Sequence, residues 1–141
     1  MSGDCWWSTG PYDPDLGAAF LLAQEAELAR GRYGGEGSSI ADLWDDPGWL
    51  EFIEISGTGS VLDFPRLGAD PEDPDPLGTM RLLTDDEVKV WCASARPAYS
   101  EWIDALVSGQ LDYPGRACGR CTVLYRNGEP VEMGYWGVTA D

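Results

Sequence analysis

The chain is 141 residues long, enough for one domain with its own core, and its 25 acidic and nine basic residues give a formal charge of −16. That charge repels nucleic-acid phosphates and anionic lipid, so neither is an expected partner, and no stretch approaches a membrane span. Histidine is absent, which excludes Ser-His and Cys-His catalysis and histidine-ligated zinc.

Taken from the N-terminus, Met1-Ser-Gly-Asp-Cys5 has neither the basic nor the apolar region of a secretory signal. The protein is therefore expected in the cytoplasm, with its four cysteines reduced. Residues 4–9 read as a short strand in which Trp6 and Trp7, being adjacent, point to opposite faces of a sheet. Asp13-Pro14-Asp15 opens a helix whose apolar face holds Leu16, Ala19, Phe20, Ala23 and Leu28, and Gly31, Gly34 and Gly35 end it. Ser39 and Asp42 have capping spacing for a short helix through Trp44, and Asp46-Pro47 starts a further turn. The run Trp49 to Ile55 fits either strand or helix. After Gly57-Thr-Gly-Ser60, residues Val61 to Phe64 read as a short strand.

Residues 68–79 form an acidic, proline-rich loop without the ligand spacing of a calcium-binding EF-hand. Thr84-Asp-Asp-Glu87 is a capping box opening a helix through about Ser94. Its Lys89, the one lysine in the chain, reads as a solvated side chain among charges. Arg96-Pro97 separates that helix from another, in which Tyr99, Trp102, Ile103 and Leu106 share a face and which Gly109 ends. The stretch from Cys121 to Val138 reads as a β-hairpin turning at Asn127-Gly128, the dipeptide best suited to a type I′ turn. A simple two-residue turn pairs Leu124 with Val131 and Val123 with Glu132. Thr122, Leu124, Val131, Met133 and Tyr135 then form one face, and Cys121, Val123, Tyr125, Glu132 and Trp136 the other. No repeat or linker divides the chain. The expected fold is a single α+β domain over 1–141, a small antiparallel sheet with a C-terminal β-hairpin packed against several helices on one face.

Three groups of residues could carry chemistry. Cys118-Gly-Arg-Cys121 has a metal-like spacing, but a zinc site would also need Cys5 and Cys92, so the cysteines are read as structural thiols and no metal is expected. The aromatic residues are mostly core, yet Trp6, Trp7, Tyr99, Trp102 and Trp136 could line an apolar cleft covered by segment 56–80. A carboxylate in such a cleft would have a raised pKa and could shuttle protons near neutrality. Glu132 and Asp63, both on expected strands, are the candidate acid/base groups, with Tyr125 as hydrogen-bond donor.

The segments Tyr12-Asp-Pro-Asp-Leu16, Arg30-Gly-Arg-Tyr33, Gly57-Thr-Gly-Ser-Val-Leu-Asp63, Leu82-Leu-Thr84, Gly119-Arg-Cys-Thr-Val-Leu-Tyr125 and Gly137-Val-Thr-Ala-Asp141 resemble a family of small acidic actinobacterial proteins of uncharacterised function. The resemblance spans nearly the whole chain and implies no activity, cofactor or residue role.

Two functions therefore remain as expectations. The first is a cofactor-independent enzyme for an apolar small-molecule substrate, of the kind that tailors natural products by dehydration, cyclisation, addition or isomerisation. The second is an acidic partner-binding protein, of immunity or inhibitor type, that captures a basic protein.

Overall fold

A computed structural model describes residues 3–31, 39–68 and 78–141. The chain runs β1 (Cys5–Pro11), α1 (Leu16–Ala29), α2 (Ile40–Trp44), α3 (Pro47–Ile55), a 3-10 turn (Val61–Asp63), β2 (Arg66–Gly68) and β3 (Thr79–Leu82). It continues through α4 (Asp85–Lys89), α5 (Tyr99–Ser108), β4 (Gly119–Arg126) and β5 (Glu129–Val138). The fold is α+β with a C-terminal β-hairpin, as the hydrophobic patterning implies. The five-stranded sheet has the order β1-β5-β4-β3-β2. It is mixed rather than wholly antiparallel, because β2 and β3 pair with their neighbours in parallel. Those two strands border the segment read from sequence as one loop, 68–79; its residues 69–77 lie outside the described residues, as do Gly34 and Gly35.

Local chemistry explains most of the element boundaries. Asp15 caps α1 by accepting from the Ala18 N–H, while Asp13 accepts from the Asp15 N–H just outside it. Ser39 with Asp42 and Thr84 with Glu87 form reciprocal capping boxes on α2 and α4. Pro47 occupies the first turn of α3, which settles the Trp49 to Ile55 run as helix. Helix α4 stops at Lys89, short of Ser94. Gly109 takes the left-handed conformation that ends α5, with φ 82°.

Helices cover both faces of the sheet rather than one, in keeping with Trp6 and Trp7 pointing to opposite faces. On one face α1 and the 3-10 turn pack Ala19, Phe20, Ala23, Val61 and Phe64 against Met80, Cys121, Met133 and Tyr135. On the other, α4 and α5 pack Val88, Trp102, Ala105 and Leu106 against Leu124 and Trp136. A third cluster, Leu28, Ile40, Leu43, Trp49 and Leu62, fastens α2 and α3 beside the end of α1. Gln24 is buried on α1 and donates its amide to the carbonyls of Val61 (3.2 Å) and Phe64 (2.6 Å). It thereby ties the 3-10 turn to the helix and leaves no buried donor of that amide unused.

The hairpin turn forms as its sequence demands, with Asn127 and Gly128 at φ 52° and 79°. Its register does not follow simply. Arg126 pairs Glu129 and Tyr125 pairs Pro130, but Leu124 pairs Glu132 and Val123 pairs Met133, with a β-bulge between Leu124 and Tyr125. The extra residue in β5 is Val131, which is left exposed. At the bulge the Tyr125 N–H leaves the ladder and donates to the Pro97 carbonyl at 2.8 Å. The bulge thus joins the hairpin to the entry of α5, and it exchanges the partners assigned to the two faces. Cys121 and Val123 lie with Met133 and Tyr135, whereas Thr122 and Leu124 lie with Glu132 and Trp136.

Candidate functional site

The Glu132 face of the sheet gathers Trp7, Tyr99, Trp102 and Trp136. Cross-strand pairing sets Trp7 opposite Trp136 and Pro11 opposite Glu132, so these four share one face. Helix α5 lays Tyr99 and Trp102 over them. The rings form a chain of contacts: Trp7 to Trp102 at 5.8 Å, Tyr99 to Trp102 at 6.1 Å and Trp102 to Trp136 at 5.9 Å between centroids. Gly134 makes room for this packing, since a Cβ there would lie 3.0 Å from the Trp102 ring.

Exposure divides the chain of rings in two. Trp102 and Trp136 are 0% exposed and belong to the core, and the Trp136 indole N–H donates to the Asp112 carbonyl at 3.1 Å. Trp7 and Tyr99 are 48% and 43% exposed and meet at 6.2 Å on the surface. Trp6, on the opposite face, leans on Phe64 at 6.4 Å and is half-buried. The five aromatic residues therefore do not share one face of the sheet.

Beside Tyr99 an open groove of about 560 Å³ runs between the start of α5 and the hairpin tip. Leu124, Tyr125, Val131 and Glu132 line it together with Arg96 and Arg126. Glu132 and Tyr125 therefore do come together, with Tyr99 on the same groove. The two arginines were not singled out from sequence; their positions beside Pro97 and the turn at Asn127-Gly128 are the signal that could have found them.

Asp63 is elsewhere. It ends the 3-10 turn rather than lying on a strand, and its carboxylate closes the loop Gly57-Thr58-Gly59. Oδ1 accepts from the Thr58 N–H and hydroxyl, each at 2.6 Å, and Oδ2 from the Gly59 N–H at 3.2 Å. Gly57 and Gly59 supply the positive φ angles, 83° and 70°, that aim these groups inward. Burial pushes the Asp63 carboxyl above its ordinary value, and the hydrogen bonds from Thr58 and Gly59 offset part of that rise. Asp63 and Glu132 do not share a site: one closes a turn, the other faces the groove.

Cys118 and Cys121 are buried thiols at the start of β4, and burial raises the Cys121 pKa. Cys92 lies in the α5-side core near Glu101, and Cys5 is exposed on β1. Among the described residues no three Cys, Asp or Glu side chains converge as metal ligands. No helix among them is long and apolar enough to cross a membrane.

No protein-family model, curated protein or solved structure matches this chain.

Proposed function

We propose that this protein is a partner-binding module that captures a basic protein. The observation that carries this reading is the placement of the aromatic residues. Of the rings expected to wall a dry pocket, Trp102 and Trp136 are core, while Trp7 and Tyr99 stand in contact on the surface of a chain of charge −16. Trp and Tyr on a surface are the residue types that most often anchor protein interfaces, and a one-signed charge accelerates encounter with an opposite partner. No lysine or arginine occurs in β1 or α5, the two elements that present this pair.

The test is a panel of basic proteins screened for binding at low and high salt. Binding that weakens with salt is expected, and Trp7→Ala is expected to weaken it by about tenfold or more while leaving the thermal midpoint within a few degrees. A panel in which nothing binds, or binding indifferent to both salt and Trp7, would end this reading.

One arrangement favours a second reading: Glu132, Tyr125 and Tyr99 open onto the same groove. With an apolar small molecule seated there, Glu132 moves the proton and Tyr125 donates a hydrogen bond, without a cofactor. Thermal shift against apolar small molecules should then show stabilisation. Glu132→Gln should abolish turnover without loss of folding; retained turnover removes Glu132 from the mechanism.

A further inference from the structure

Strand β1 is an outer strand of the sheet, pairing with β5 on one side and with no other strand among the described residues. Its hydrogen-bonding direction can be worked out. The Thr139 N–H donates to the Asp4 carbonyl, so the pair at position 4 is of the hydrogen-bonded kind. Antiparallel pairs alternate, so Trp6, Ser8 and Gly10 bond to β5, and Cys5, Trp7 and Thr9 turn their N–H and C=O groups outward. These are also the exposed residues in the alternating burial of the strand.

Outer strands are normally blunted by brevity, charge or a bulge. The opposite edge obeys this rule: β2 has three residues and begins with Arg66. β1 does not. It is seven residues long, regular in register and free of charged side chains until Pro11 closes it. Acidic residues flank it instead, with Asp4 before it, Asp13 and Asp15 after it, and Glu132 across from Pro11. No lysine or arginine precedes Arg30 in the sequence.

We infer that β1 is the docking edge for an extended, basic segment of a partner protein, which adds to the sheet as a sixth strand with Trp7 and Tyr99 as its side-chain anchors. The main-chain groups of Cys5, Trp7 and Thr9 supply the ladder, and the flanking aspartates supply the preference for lysine and arginine. A second copy of the chain is disfavoured at this edge, because pairing β1 with β1 would bring two sets of these aspartates, on chains of −16 each, together. The inference deepens the partner-binding reading and rests on it.

The experiment is residue-resolved hydrogen exchange on the whole protein, with and without an end-blocked peptide alternating lysine and valine. Without peptide, the amides of Cys5, Trp7 and Thr9 should exchange fast and those of Trp6, Ser8 and Gly10 slowly. With peptide, the first set should become protected by about tenfold or more and Trp7 fluorescence should change, with affinity falling as salt is raised. The same peptide N-methylated at alternate residues, or carrying glutamate for lysine, should fail. Thr9→Pro removes an outward N–H where proline is tolerated, so it should keep the fold and weaken peptide binding about tenfold.

Unchanged exchange at Cys5, Trp7 and Thr9, or equal binding of the N-methylated peptide, overturns the inference. So does protection of these amides in the absence of peptide together with a dimeric mass. A basic protein that binds with salt dependence while these amides stay unprotected overturns the edge inference alone and leaves the partner-binding reading standing.

Discussion

Replacing Trp102 with alanine is expected to lower the unfolding free energy by about 3–5 kcal/mol, read as a shift of the urea midpoint. The indole is 0% exposed and stands at the centre of the α5-side core, touching Trp7, Tyr99 and Trp136. Its removal leaves a cavity that the neighbours cannot close, because Gly134 beneath it has no side chain to offer and Trp136 is anchored through its N–H to Asp112. Trp102→Phe should recover part of the loss by refilling the site. A midpoint unchanged by the alanine variant would mean that α5 contributes little to the stability of the sheet.

Glu87→Ala is expected to cost about 2–3 kcal/mol at neutral pH, less than a wholly buried pair because the Glu87 side chain is 38% exposed. Arg81 projects from β3 at 3% exposure, and its guanidinium meets both Glu87 oxygens, at 2.7 and 2.9 Å. The same carboxylate accepts from the Thr84 N–H at 3.0 Å, so one side chain neutralises a buried cation and caps α4. The Arg81 guanidinium holds the Glu87 pKa down at about 2, against an ordinary 4.5. A depressed carboxylate stabilises the fold above its unfolded value and loses that contribution as pH falls through its folded value. The wild-type protein should therefore lose this contribution between about pH 4.5 and pH 2, and the variant should have a flatter acid limb in a denaturation series across that window. Parallel acid limbs in the two proteins would show that the pair adds nothing to folding.

What the sequence discloses and conceals divides along the distance over which the deciding interaction acts. The capping boxes at Ser39 and Thr84, the stop at Gly109 and the turn at Asn127-Gly128 depend on groups within a few residues, and each is legible. The bulge beside Tyr125 is not, because the group that takes its N–H belongs to Pro97, far back in the chain. The parallel pairing of β2 and β3 is hidden for the same reason: strands of three and four residues carry too little periodicity to announce a partner. The candidate site shows the same division. The hairpin and α5 put Glu132, Tyr125 and Tyr99 on one groove, but the bulge moves Glu132 off the sheet face that the patterning assigned to it. Which of Trp7, Trp102 and Trp136 is exposed depends on β1 lying at the outside of the sheet, and nothing local to three indoles encodes that.

Cysteine placement gives the chain a chemical handle that needs no engineering. Cys92, Cys118 and Cys121 are interior, while the Cys5 thiol is exposed on β1, two residues before Trp7. An alkylating dye or spin label applied to the native protein therefore has one accessible target, and it lies on the outer strand. The natural sequence can be tethered, labelled or cross-linked there without a substitution, and unfolding announces itself as reagent consumed by the other three thiols.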